Sequence, residues 1–240
     1  MIVCLNVEIL TGELFGMNFR KRSVNIDLTH RCTLECPKCL RQSFRARGFK
    51  IPGSDMTMSN FIKLVEYFNA IIFCGQISDP IFHPKFIDFL KVCADNNKKT
   101  IINTAASHKK IEWYRKAFQT HPQAEWLFGM DGLPKDSNKY RKNQNGEHLY
   151  EVMKICAKMG LKTRWQYIVF RYNENDIETC RKMARDNNIH FDVIYSGRWQ
   201  KKDSYKPRNP NHYLNSKKNL FDVNRTGDKL FEKGVKELEW

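Results

Sequence analysis

Apolar residues in this chain switch repeatedly between two spacings, and that switching predicts the fold class. Residues 23–28, Ser-Val-Asn-Ile-Asp-Leu, alternate apolar and polar positions as a half-buried strand does. After a polar loop, Phe61, Leu64, Val65 and Phe68 recur at helical spacing. The run 70–74 is continuously apolar and rich in β-branched and aromatic residues, which predicts a fully buried strand. Pro84 is placed to open the next helix, with Ile87, Leu90 and Cys93 on its inner face. Residues 100–104 predict a third strand and 109–118 the helix after it. A fourth strand is expected at 125–130, then a helix over 149–159 stopped by Gly160 in a left-handed cap. The fifth strand is expected at 165–170. Asn175 and Glu178 then have capping-box spacing ahead of Ile177, Cys180 and Met183, and 191–195 is the sixth strand.

Six alternations of strand and helix predict an α/β fold with parallel strands, because only crossover helices join neighbouring parallel strands. A closed eight-fold barrel takes about 250 residues, and only 23–196 carries the alternation. A partial (β/α)6 barrel is therefore expected over 23–196, with an N-terminal extension at 1–22. The segment 197–240 reads as a basic C-terminal extension, polar and proline-bearing and placed to cover the barrel; Phe231, Val235 and Leu238 suggest a short amphipathic helix near its end. Hydrophobic residues at 41% and charged residues at 28% exclude disordered and fibrous classes. No apolar run is long enough to span a bilayer. The first residues carry acids and lack a basic stretch leading into an apolar core, so a cytoplasmic protein without a signal peptide is expected.

Directly after the first strand come Cys32, Cys36 and Cys39, spaced CxxxCxxC on a loop made polar by Thr33, Glu35 and Lys38. Three thiols this close can converge on one centre as thiolates, which select zinc, copper(I) or iron–sulfur. A structural zinc site wants four closed ligands; no second CxxC follows, though His30 or a scattered cysteine could complete a set. A 4Fe–4S cluster on three cysteines leaves one iron open to a small molecule. Cys74, Cys93, Cys156 and Cys180 fall in strands or on apolar helix faces and read as packing residues, as Cys4 does near the terminus. His83 before Pro84 reads as a helix-entry residue.

The cysteine spacing at the end of a first strand resembles the radical S-adenosylmethionine enzymes, and the likeness extends over about 23–195. The stretch from Cys74 to Pro84 is similar to the family's Gly-Gly-Glu-Pro segment followed by His-Pro, with Ser78 at the second glycine and Asp79 at the glutamate. Asn103 and Thr104 resemble its Thr-Asn-Gly element, and Asp131-Gly132 its Asp-Gly. Tyr140-Arg141, 165–170 and Asn173-Glu174 are similar to a subgroup of phage and environmental genomes. The resemblance implies a 4Fe–4S cluster on Cys32, Cys36 and Cys39, with S-adenosylmethionine on the open iron. Reductive cleavage of the sulfonium would give a 5′-deoxyadenosyl radical that abstracts hydrogen from a substrate. It further implies that Gly75, Gln76, Ser78 and Asp79 lie against the methionine amino group, while Thr104, Asp131 and Gln166 lie at strand ends facing ribose or carboxylate. An electron donor such as flavodoxin or ferredoxin is implied as partner. Lys38 stands where many members carry an aromatic residue.

Charge narrows the substrate. Lys and Arg number 41 against 26 Asp and Glu, a formal net charge of +15, which attracts polyanions. Basic residues gather after the cysteine loop (Arg41, Arg45, Arg47, Lys50), at 98–116, at Lys135, Lys139, Arg141 and Lys142, and at Lys201, Lys202, Lys206 and Arg208 near Trp199 and Tyr205. A nucleic acid or other phosphate-bearing substrate is one expectation. Radical modification of a peptide or protein is a second, although no cysteine after Cys180 could build the auxiliary-cluster module of many peptide-modifying relatives. A zinc-stabilised nucleic-acid-binding module without catalysis is the third.

Overall fold

A computed structural model describes residues 21–197 and 199–213, with backbone pairings at 9–10, 13–14 and 17–18 and side chains from Ser23 onward. Six strands form one parallel run: β1 (Lys21–Ile26), β2 (Ala70–Phe73), β3 (Lys99–Thr104), β4 (Glu125–Gly129), β5 (Lys162–Ile168) and β6 (His190–Ile194). Each pairs with its sequence neighbour, and β1 also pairs antiparallel with Ile9–Leu10 on its outer edge. Among the described residues β1 and β6 do not pair, so the barrel is open. The strand tips are nearly level: Ile26 faces Phe73, Phe73 faces Ile102, Thr104 faces Phe128, and Gly129 faces Gln166. All six following loops therefore emerge at one end.

The helices are α1 (Leu40–Ala46), α2 (Met58–Tyr67), α3 (Phe86–Asp95), α4 (Ile111–Thr120), α5 (Gly146–Lys158) and α6 (Ile177–Arg185). The apolar stripes of α2 to α6 bury against one face of the sheet. There Phe61, Phe73, Phe86, Phe89, Phe118 and Trp126 form a contiguous aromatic core, with the Phe61 and Phe89 rings edge-on at 4.5 Å. Truncating one of these rings to Ala costs about 3–5 kcal/mol. Strand alternation divides the work between faces. In β3, Thr100 and Ile102 are buried under helices and Thr104 is buried against the β2 loop, while Asn103 is half-buried and turned to the barrel interior; Leu127, Gln166 and Ile168 share that inner side. Caps fix the helix starts, as where the Thr57 hydroxyl accepts from Asn60 N and the Asn145 side chain accepts from His148 N. Gly160, at φ +80°, ends α5 in the left-handed conformation expected of it.

Several sequence expectations shift. Pro84 does not open α3: residues Pro80–Phe82 form a 3-10 turn, and the helix begins at Phe86, with Phe86, Phe89, Leu90 and Cys93 buried and Ile87 half-buried. His83 does serve helix entry. Its Nδ1 accepts from Lys85 N while Nε2 meets Met56 O, and burial holds its pKa below the usual histidine value. The capping box at Asn175 and Glu178 does not form, because Asp176 occupies the cap without a side-chain bond. Asn173 organises that turn instead, accepting from Phe170 N and donating to Ile168 O. The loop after Cys39 contains α1, which lacks an apolar period because its one buried residue is Arg41. Cys4 and the helix expected around 231–238 lie outside the described residues. No helix among the described residues is long and apolar enough to cross a membrane.

Candidate functional site

The loop from β1 to α1 carries the three cysteines, and it is fixed mainly by its own backbone. Asp79 N donates to Arg31 O at 2.9 Å, and Glu35 N donates to Lys142 O at 3.1 Å. Arg41 turns inward from α1, donating to the carbonyls of His30, Ile77 and Cys32. Thr29 and Arg31 both hold Asp55, at 2.6 and 2.8 Å. The turn closes with Cys39 N on Cys36 O, and Cys39 then caps α1. Cys32, Cys36 and Cys39 are free thiols, each half-buried, and all three line one cavity of about 910 Å³ at the strand tips. Burial pushes the Cys32 thiol up to about 12, with Asp79 adding to it, and the Cys36 thiol up to about 11, with Arg141 pulling back. Without metal these groups are neutral; a metal that binds them displaces their protons.

The β2 loop forms the next wall. A Cβ at Gly75 would lie 2.8 Å from Ser78 O, so the tight turn itself requires glycine there. Ser78 donates to Asp27 at 2.6 Å, while Gly75, Gln76, Ser78 and Asp79 all line the cavity. Asp79 is buried, and its oxygens accept from the Thr104 hydroxyl and from Ile81 N, Ala105 N and Ala106 N, at 2.8–3.3 Å. Desolvation outweighs these donors and pushes its pKa up to about 6. Asp79 thus ties the β2 loop to the end of β3, and what it offers the cavity is charge more than a free lone pair. Thr104 spends its hydroxyl on Asp79 at the same cavity wall.

Across the cavity, Asp131 does not line the wall. It is fully buried, accepts from Ile168 N at 2.8 Å, and pairs with Arg141 Nε at 2.8 Å. Burial pushes the Asp131 carboxyl up and the guanidinium beside it pulls back. Arg141 lines the cavity in its place. Its terminal nitrogens lie over Gly129, where a Cβ would come within 2.8 Å of Nη2. Gln144 secures this floor by donating to Ala105 O and Gly129 O. Gln166 lines the wall on β5, and Tyr140 stacks on Phe170 at 4.1 Å beside it. Arg141 and Arg41 fall within basic patches of the sequence, but both are turned into the fold. No residue type or spacing marks Arg141 as a cavity group, since its position depends on Gly129 and Asp131 through space.

Among the described residues no three His, Cys, Asp or Glu side chains are grouped so as to hold a single metal ion, the cysteine loop included. His30, the expected zinc alternative, is drawn toward Asp55 at 3.9 Å.

Solved structures with the same architecture include SuiB of Streptococcus suis bound to S-adenosylmethionine, at 13% identity and TM-score 0.60, covering 90% of this chain and 48% of that one. Another is anSMEcpe with bound AdoMet, at 15% identity and TM-score 0.60 over 80% of this chain and 56% of that one. Methylornithine synthase (PylB) matches at 12% identity and TM-score 0.54, over 71% and 52%. The fold is that of the radical S-adenosylmethionine enzymes. The chain spans about half the length of the solved structures it matches. No family model and no curated protein matches it. The partial barrel expected from the strand count is thus the barrel of that fold.

Proposed function

We propose that the protein is a radical S-adenosylmethionine enzyme, with Cys32, Cys36 and Cys39 holding a 4Fe–4S cluster. The observation that carries this is one cavity lined by all three cysteines, by the Asp79 carboxylate and by the Arg141 guanidinium. Its volume lies in the range of cofactor sites, ~300–1,000 Å³. The donor set fits the cluster: three soft thiol ligands that line one cavity are the kind that select iron–sulfur, and three of them leave one iron open. Opposite charges on facing walls fit an amino acid moiety. Asp79 gives negative potential toward an ammonium or sulfonium, and Arg141, steadied by Asp131, keeps its terminal nitrogens for a carboxylate. The backbone turn at 75–78 and Gln76 line the wall between them.

When bound, the cluster and S-adenosylmethionine supply one-electron cleavage of the sulfonium and a carbon radical that takes hydrogen from a substrate. The chain's own part is to orient and to shield. Arg41 and Asp79 N hold the cysteine loop against the β2 loop, so that the thiolates are presented from a fixed frame. Leu127 and Ile168 give the inner wall an apolar flank, and Tyr140, stacked on Phe170, lines the cavity as well. An external one-electron donor such as flavodoxin or ferredoxin completes the reaction.

A second reading, radical modification of a peptide, is supported by neighbours solved with peptides: SuiB with its precursor peptide SuiA, and anSMEcpe with Cp18Cys peptide. The test of the first reading is anaerobic turnover with dithionite and S-adenosylmethionine. The wild-type chain is expected to release 5′-deoxyadenosine, and Cys36→Ala to release none. Equal release by both would remove Cys36 from the cluster.

A further inference from the structure

The charge of the mouth is distributed in a way the cofactor site does not use. Four acids in the loops at the strand tips are each paired with a cation: Glu35 with Arg45 at 3.0 Å, Asp55 with Arg31 at 2.8 Å, Asp136 with Lys139 at 3.0 Å, and Asp203 with Lys38. Of the other acids there, Asp79 and Glu174 are buried and hydrogen-bonded, Asp27 accepts from Ser78, and Asp176 caps α6. Arg47, Lys50, Lys135, Lys142, Lys201 and Lys202 are exposed in the same loops and enter no ion pair among the described residues. Their places bracket the opening. Arg47 follows Ala46 and Lys142 follows Arg141, and both of those line the cavity. Lys201 and Lys202 precede Asp203, whose partner Lys38 also lines it. The cations therefore approach one opening from α1, from the β4 loop and from the segment after β6.

Between Arg47 and Lys50 stands Phe49, 59% exposed, and Leu40 on the cavity side of α1 is 54% exposed. An exposed ring flanked by cations is a stacking platform set in a phosphate-attracting rim, the combination that binds single strands without needing a groove. A globular acidic partner would be met by a flat patch on one side. Here the exposed cations stand on three separate segments beside an opening with a cavity behind it, which suits a strand that crosses the rim and sends a base inward.

We propose that the cavity mouth binds single-stranded nucleic acid, with phosphates on Arg47, Lys50, Lys142 and Lys201–Lys202 and a base stacked on Phe49. That the strand is the enzyme's substrate rests on the radical enzyme reading above; that it binds does not.

The test uses the full chain and a labelled 20-nucleotide single-stranded RNA and DNA, read by fluorescence anisotropy over a range of salt. A duplex of the same length and polyglutamate serve as competitors. Affinity for a single strand is expected to fall steeply with salt, by about 0.7 in the log–log slope for each phosphate held. Arg47→Ala with Lys50→Ala, which removes two phosphate contacts, should make that slope shallower by about 1.4. Phe49→Ala should weaken binding about tenfold with the slope unchanged. Binding that ignores salt, slopes unchanged in the double variant, or polyglutamate or duplex competing as well as the strand would each overturn the inference. Polyglutamate winning would indicate an acidic protein partner. Iron content and 5′-deoxyadenosine release are measured on the same preparation, so a loaded, cleaving chain that ignores the oligonucleotide refutes this site alone, and a binding chain without iron refutes only the enzyme reading.

Discussion

The two halves of the cavity mouth solve one problem in different ways. Each holds a buried carboxylate in the loop after a strand, and each has a glycine that permits a close approach, of the Ser78 carbonyl at Gly75 and of the Arg141 side chain at Gly129. On the β1–β3 side, Asp79 is met only by neutral donors, the Thr104 hydroxyl and backbone N–H groups, and its pKa rises to about 6. On the β4–β5 side, Asp131 is met by Arg141. Neutral donors satisfy lone pairs without cancelling charge, so ionised Asp79 keeps its charge toward the cavity, with the Arg41 guanidinium held on backbone carbonyls of the same side. The other half has spent its carboxylate on an arginine, whose outer nitrogens remain for an anion. The polarity of the cavity follows from which kind of partner each buried acid was given.

The largest expected effect comes from breaking the β4–β5 half. Asp131→Ala leaves a buried guanidinium unpaired and should lower stability by about 3–5 kcal/mol, read by urea denaturation. Asp131→Leu with Arg141→Met should recover most of that loss while abolishing retention of an anionic ligand. If the single variant were as stable as its parent, the pair would not be holding the β4 loop.

The β1–β3 half is tested by pH. The Asp79 carboxyl has a folded pKa of about 6 against 3.8 for an ordinary aspartate. The native state therefore holds its proton more tightly, and this group's contribution to stability declines as pH rises from about 4 to about 6, then levels. The size is on the order of 2–3 kcal/mol. In the metal-free chain, Asp79→Asn should flatten that part of the stability–pH curve. A slope unaltered by the substitution would mean that Asp79 is not the titrating group.

Smaller effects separate the glycines. Gly75→Ala drives a Cβ against the Ser78 carbonyl, which is backbone, and should cost about 1–3 kcal/mol. Gly129→Ala meets only the movable end of Arg141, so its stability loss should be smaller and its loss of S-adenosylmethionine affinity larger. Thermal unfolding and equilibrium dialysis give the two readings; the reverse ranking would contradict the roles assigned to these turns.

Legibility differs between the same halves. The strands at 70–74 and 125–130 are plain in the sequence as apolar runs, although full burial on both faces does not hold: their residues alternate between buried under the helices and half-buried on the inner side. The cysteine spacing stands out because soft ligands in a polar loop have few other uses. Thr104 is visible as a strand-end polar group, and Asp79 through the resemblance of its segment to Gly-Gly-Glu-Pro. Neither α1 nor the place of Arg141 can be read this way. Helix α1 buries a single side chain, an arginine, so no apolar period marks it. Arg141 is one more charge in a basic run until the chain folds, because its seat is made by Gly129 and Asp131, more than a helical turn away in sequence and joined only through space. The capping box fails for a related reason: Asn173 bonds across its own turn and fixes the helix start first.

The most direct measurement is anaerobic iron and sulfide analysis of the reconstituted chain, with electron paramagnetic resonance of the reduced sample before and after S-adenosylmethionine. About four irons and four sulfides per chain, and a spectrum that changes when the nucleotide is added, are expected. A colourless chain carrying one zinc, or a cluster whose spectrum ignores S-adenosylmethionine, would contradict a three-cysteine site with an open iron facing this cavity.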